Sequence, residues 1–183
     1  MILKGEKVVL RPVRMDDAPR FVKWFNDPSV HQFLSVREMS LKGEKEWIKA
    51  RLKSKNIHDL HFCIDTIDGK HIGSIGLHQI NKLDKHAVFG IMIGEKTYWD
   101  HGLGTEATKL MLGYAFKKLK LHKVKLGVHV NNPRAIKVYK RLGFVKEGVK
   151  RDEVLWKGKY YNSYIMSLLE NEWKRRNNRN DKI

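Results

Sequence analysis

The stretch IMIGEKTYWDHGLGTEATKLMLGYAFKK, Ile91 to Lys118, limits what this chain can fold into more than any other. Its apolar start, Ile91-Met92-Ile93, reads as the end of a strand, and a polar turn follows. After His101-Gly102-Leu103-Gly104-Thr105 the pattern becomes helical. Ala107, Leu110, Met111, Tyr114 and Ala115 recur at the i, i+3, i+4, i+7, i+8 spacing of one buried helix face. A strand that passes through a glycine-bearing turn into a helix N-terminus makes an anion site, because the first helical N–H groups lack intrahelical partners and the dipole is positive there. Gly102 and Gly104 place no Cβ between those amides and a phosphate. A plain strand-to-helix connection uses the same pattern, so the assignment needs a second feature.

That feature lies downstream, in VHVNNPRAIKVYKRLGF, Val128 to Phe144. Val124, Leu126, Val128 and Val130 alternate with Lys123, Lys125, Gly127 and His129, the period of a half-covered strand. Asn132 to Leu142 is a short helix with Ala135, Val138, Tyr139 and Leu142 on one face, stopped by Gly143 as a C-terminal cap. The turn Trp99-Asp100-His101-Gly102-Leu103-Gly104 resembles an R/Q-x-x-G-x-G/A loop. Asn132, Ala135, Tyr139 and Gly143-Phe144 follow N-x-x-A-x-x-x-Y-x-x-x-G-F. Together, in this order and at this separation, they resemble the GNAT superfamily of N-acetyltransferases. Within it the chain is most similar to the branch of ribosomal-protein-alanine and spermidine N-acetyltransferases, which also suits Glu6 to Pro12, Tyr98-Trp99, Gly158 to Tyr161 and Ile165 to Leu168.

The resemblance implies an α+β (α/β) fold: one GNAT-like domain over residues 1–172, then a basic tail, 173–183. Its centre is a mixed, mostly antiparallel sheet of about seven strands flanked by about four helices, splayed at the acetyl-CoA site. The rest of the sequence fits. Lys7 to Arg11 alternates as a first strand edged by Pro12. Asp16-Asp17 opens a helix with Ala18, Phe21, Val22 and Phe25 inside and Trp24 off that stripe. Ser29 to Glu38 is irregular, and Leu41 to Lys55 reads as a helix with Trp47, Ile48 and Leu52 inward. Asp59 to Asp65 and His71 to Gln79 form a hairpin across Asp68-Gly69, and a strand over His86 to Ile93 follows. Phe144 to Lys150 and Tyr160 to Leu169 are two last strands joined by a charged connection.

A chain of 183 residues holds one sizeable domain. No apolar run approaches the ~20 residues of a membrane span, and MILKGEKVVLRP has no signal-peptide pattern. The one cysteine, Cys63, reads as a buried strand thiol, and no Cys/His set has zinc spacing. These features predict a cytoplasmic protein without a metal, monomeric or homodimeric. The net charge of +17 is unusual, yet the lysines are scattered instead of striped beside stacking aromatics, which argues against nucleic acid as a partner.

The resemblance also implies roles. Acetyl-CoA would meet the backbone of His101, Gly102, Leu103, Gly104 and Thr105 through its pyrophosphate, and the backbone of Met92 and Ile93 through its pantetheine arm. Asn132 is the motif asparagine or a plain helix N-cap. Arg134 is within the helix face that could reach the 3′-phosphate. Tyr139 is expected to protonate the leaving thiolate. Where relatives carry a strand Glu this chain has Val88, which leaves Glu95, His86 and His78 as base candidates, with Glu95 taken forward. Trp24, His31 and Phe33 are candidates for the acceptor side. The acceptor is an amine on a small molecule or a protein N-terminus. The N-terminus is favoured because the chain has 37 basic residues against 20 acidic ones and Ser29 to Glu38 holds one carboxylate, Glu38. A polyamine, amino sugar or aminoglycoside is the alternative, and a non-catalytic acyl-CoA sensor is an alternative of another class.

Overall fold

Among the described residues, short apolar runs bounded by turn residues become eight strands: β1 (Leu3–Lys4), β2 (Val8–Pro12), β3 (Leu60–Thr66), β4 (His71–Asn81), β5 (His86–Ile93), β6 (Lys123–His129), β7 (Val145–Trp156) and β8 (Lys159–Leu169). The structure is a computed structural model that describes residues 1–34, 38–54 and 58–180. The strands are ordered β1-β2-β3-β4-β5-β6-β8-β7. The pairs β1–β2, β2–β3, β3–β4, β6–β8 and β7–β8 are antiparallel, and β5–β6 is parallel. This is the mostly antiparallel sheet that the resemblance implies, with one more strand than expected, the two-residue β1. The helices are α1 (Ala18–Phe25), α2 (Pro28–His31), α3 (Leu41–Lys53), α4 (Leu103–Gly113), α5 (Pro133–Leu142) and α6 (Glu170–Asn180). Among the described residues six replace the expected four, because a single turn forms at Pro28 and the basic C-terminal segment is helical. No described helix is long and apolar enough to cross a membrane.

The chain forms two compact units, residues 1–77 with 90–110 and residues 78–89 with 111–183. In the first, α1 buries Ala18, Phe21 and Trp24. Trp24 is 1% exposed, so it is a core residue although it lies off the expected stripe. Its ring lies on Gly94, where any Cβ would overlap it, and meets His71 edge-on at 4.9 Å. The Asp27 side chain caps α2, accepting from the Ser29 amide at 2.9 Å. Ser40 does the same for α3 through the Gly43 amide at 3.1 Å. The inner face of α3 is Glu44 and Ile48, while Leu52, expected inside, is exposed. Lys55, the expected end of that helix, lies outside the described residues.

Beneath this core sits a buried charge network. Both Arg11 Nη atoms donate to Asp17 at 2.8 Å and its Nε donates to Asp65 at 2.6 Å. The Arg14 amide and the Cys63 thiol also donate to Asp17, at 2.7 and 3.2 Å. Burial alone would raise the Asp17 carboxyl; the bonds from Arg11, His71, Arg14 and Cys63 outweigh it and hold the group well below the usual carboxylate range. The Cys63 thiol is pushed up, first by burial and then by the Asp17 charge, which makes it unreactive.

In the second unit, α4 ends in a wider turn, with Leu119 N–H donating to Tyr114 C=O at 3.1 Å. β6 pairs with β8 from Lys123↔Leu169 to His129↔Ser163. The expected charged connection between the last strands is mostly strand itself: β7 runs on to Trp156, and Lys157 and Gly158, both at positive φ, make a two-residue turn. The segment expected as a frayed tail is α6. Trp173 packs on Phe116 at 5.4 Å, and Glu172 caps the Leu169 amide at 2.9 Å. One aromatic anchor and a capped N-terminus suffice to order the basic turns. Residues 181–183 lie outside the described ones.

Glu44 is 2% exposed, and burial raises its carboxyl to about 7. Folding therefore favours its neutral form. That contribution is fully present below the unfolded value near 4.3 and is lost as the pH rises through about 7. Glu44→Gln should stabilise the fold at pH 8 by on the order of 1–3 kcal/mol and change little at pH 5. Denaturant titrations at the two pH values check this, and an equal effect at both would refute it.

Candidate active site

The glycine turn forms as its residues dictate. Asp100 and Gly102 take positive φ, 65° and 78°, and at Gly102 only glycine does so without strain. The Gly102 carbonyl accepts from the Glu106 amide at 3.1 Å and so opens α4. The preceding N–H groups, Leu103, Gly104 and Thr105, have no partner within the helix. Gly104 is a different case: a Cβ there would sit 3.5 Å from Ile93 Cγ1, an ordinary contact. The protein itself does not demand glycine at 104. His101 and Gly102 are exposed and Leu103 is buried.

Trp99 stands where the loop pattern has Arg or Gln, and it has its own task. Its indole N–H donates to the Ile93 carbonyl at 2.7 Å, tying the turn to the end of β5. The Met92 carbonyl lies so close over Gly73 that a Cβ at 73 would overlap it. The Ile93 carbonyl is thus taken by the Trp99 indole, while the Met92 carbonyl faces Gly73 of β4.

Around the acceptor candidates of this unit, two carboxylates are already paired. Lys96 bonds Asp27 at 2.7 Å, and this bond above all holds the Asp27 carboxyl down to about 2. Glu95 accepts from Lys23 at 3.1 Å, so the base candidate is an ion-pair partner. His31 Nδ1 is 2.7 Å from the Phe25 carbonyl at the end of α1, and Phe33 is half-buried. Residues 35–37 of the acceptor segment lie outside the described ones. Asp17, Cys63 and His71 bring ligand atoms within 4.8 Å of one another, a donor set that could hold a metal. There, however, the Asp17 oxygens already accept five hydrogen-bonding or ionic contacts, two of them from a guanidinium.

The second unit holds Asn132, Arg134 and Tyr139. Asn132 is a helix N-cap, its Oδ1 accepting from the Ala135 amide at 3.1 Å, and Pro133 follows at the first helical position. Arg134 is exposed. Tyr139 is 8% exposed, edge-on to Phe89 at 6.2 Å and tilted over Phe144 at 5.6 Å. Burial pushes its phenol up to about 12. The parallel ladder in this unit pairs only His86, Ala87 and Val88 with Lys123, Val124 and Lys125, while β6 continues to His129. Past that point the two strands share no further described pairs, which is the splay the resemblance implies. His129, read only as a strand residue, is 8% exposed, and burial lowers its imidazole. An imidazole at the last position of an otherwise lysine-bearing strand face is the signal that could have marked it.

The profile of the "Acetyltransferase (GNAT) domain" family matches residues 7–145, and the chain belongs to that family of N-acetyltransferases. It is 31% identical to a spermidine N(1)-acetyltransferase of Escherichia coli over 172 residues, 92% of this chain and 89% of that one. It is 33% identical to a putative ribosomal N-acetyltransferase of Bacillus subtilis over 106 residues, 58% of this chain and 57% of that one. Among solved structures it is similar in fold to the spermidine N-acetyltransferase from Vibrio cholerae in complex with CoA and spermine. The TM-score is 0.86 at 24% identity, covering 93% of this chain and 99% of that one.

Proposed function

We propose that this protein transfers the acetyl group of acetyl-CoA to the α-amine of a protein N-terminus, such as that of a ribosomal protein. The amine nitrogen attacks the thioester carbonyl, the C–S bond breaks, the nitrogen gives up a proton and the sulfur gains one. No acyl-enzyme forms, since Cys63 is buried and its thiol is held protonated. The amides of Leu103, Gly104 and Thr105 bind the pyrophosphate, with His101 and Gly102 shaping the turn. Asn132 orders the start of α5, and Arg134 is the cation for the 3′-phosphate. Tyr139 keeps its proton across the physiological range, so it hydrogen-bonds the departing sulfur and yields the proton only as thiolate charge develops.

One observation carries the choice of acceptor: of the carboxylates around the acceptor segment, Asp27 and Glu95 are each neutralised by a lysine and Glu44 is buried with a raised pKa, which leaves Glu38 as the exposed one. A polyamine site must gather free carboxylates around a polycation, whereas an acidic peptide with a free amine meets no such need. The second reading, a polyamine acceptor, is favoured by the name of the E. coli relative.

Titration calorimetry should give one CoA bound per chain. Gly102→Glu should weaken it at least ~10-fold by setting a carboxylate against the phosphates. Gly102→Ala carries the same backbone strain without the charge and should lose much less. Absence of CoA binding by the native protein would end the reading. Tyr139→Phe should lower kcat by about 10²-fold with KM for acetyl-CoA kept; an unchanged kcat removes the acid role. For the acceptor, CoA release should be fast with acidic peptides bearing a free N-terminus and absent with blocked ones. Turnover of spermidine alone would establish the second reading instead, and CoA binding without release on any amine would indicate a sensor.

A further inference from the structure

An attacking amine must lose a proton, and two of the candidates named from the sequence, Glu95 and His86, do not offer a good acceptor for it. Glu95 is bound to Lys23, and His86 sits at the closed start of the β5–β6 ladder. The second unit supplies another group. Register places Val88 beside Lys125, and alternation then puts Val88, Lys125, Gly127 and His129 on one face of the sheet, with Ala87, Phe89, Val124 and Leu126 on the other. Tyr139 covers the Phe89 face. His129 therefore stands on the opposite face, at the end of β6 that lies beyond the ladder. Next to it on that face is Gly127, exposed and with no atom within 4 Å of the position a Cβ would take. Buried imidazole beside open space on the splayed end of a strand is the arrangement of a proton acceptor with room for an amine.

We infer that His129 is the general base of the acetyl transfer proposed above, taking the amine proton onto its imidazole as the N–C bond forms. The step balances: nitrogen loses a proton to His129, sulfur gains one from Tyr139, and solvent later exchanges the two. Burial favours the neutral ring, which has the lone pair the step needs. The charged groups at this end of the sheet are Lys125 on the same strand, Lys150, which pairs with Ser163 across from His129, and Glu153, which holds Lys150 at 2.6 Å. Arg134 lies in the first turn of α5, whose cap Asn132 donates its amide to the His129 carbonyl at 3.0 Å.

The test compares wild type, His129→Gln and His129→Ala on a free-N-terminal acidic peptide across pH 6 to 10. Both variants should lose about 10²-fold in kcat/KM for the peptide at pH 7 while binding CoA as wild type does in calorimetry. The loss should shrink towards pH 10, where the substrate amine deprotonates unaided, and added imidazole should partly restore His129→Ala through the space at Gly127. Activity within about threefold of wild type, or an equal loss at every pH without imidazole rescue, would overturn the assignment. A wild type that binds CoA but acetylates no amine would instead overturn the transferase reading on which the assignment rests.

Discussion

The parallel pairing of β5 with β6 is the constraint from which the rest follows. Two parallel neighbours need a long crossover, and here it is the glycine turn and α4. That connection carries the chain from a strand through the glycine turn to a helix N-terminus, which is why unpaired amides and a positive dipole end appear at Leu103. The pairing also lasts only three residue pairs. Beyond it β6 keeps its β8 partner but leaves its other edge outside any described ladder. Backbone donors and acceptors left so inside a sheet are costly unless something peptide-like takes them. The amide-rich pantetheine arm of CoA is a fitting partner of that kind.

Rigidity in the first unit comes from a different source. Arg11, Asp17, Asp65 and Cys63 are joined in one buried network, and removing one member of such a network leaves an uncompensated charge, typically at a cost of ~3–5 kcal/mol. The network links β2, the turn before α1 and β3, so α1 is held in register with the strands. This holds Trp24 over Gly94, next to the β5 end that leads into the turn. Gly73 and Gly94 are then required by neighbours, the Met92 carbonyl and the Trp24 ring, more than by their own backbone angles.

Features that depend on local period or backbone chemistry were legible in the sequence. The Ala107, Met111 and Ala115 part of the α4 face, the face of α5, the alternation of β6, the cap at Gly143 and the need for glycine at 102 are all of this kind, although Leu110 and Tyr114, expected inside, are half-buried. Features that depend on a distant partner were not. Trp99 as a clamp on Ile93, Asp17 as the hub of a charge network and Trp24 as core each need a neighbour that no spacing rule supplies. The basic C-terminus misleads in the same way. Its composition suggests a solvated tail, and only the contact between Trp173 and Phe116 explains why it is a helix. His129 shows the converse: its strand position was clear, but its meaning rests on where the β5 ladder stops.

The choice between an α-amine and a polyamine also meets the chemistry of the base. A net charge of +17 repels any polycation, but the Debye length of about 8 Å at physiological salt leaves the decision to local groups, and locally Asp27 and Glu95 are paired with lysines. Proton transfer adds an independent discrimination. From an α-ammonium near 8 to an ordinary imidazole near 6.5 is a climb of about 2 kcal/mol; from an alkylammonium near 10.4 it is about 5 kcal/mol. An imidazole lowered by burial, as His129 is, raises both climbs equally and leaves the gap between them intact. A carboxylate base faces a still steeper climb unless burial raises it. A site that relies on a neutral histidine is therefore matched to the weaker amine, and the electrostatics of the surface and the proton inventory of the site point to the same acceptor.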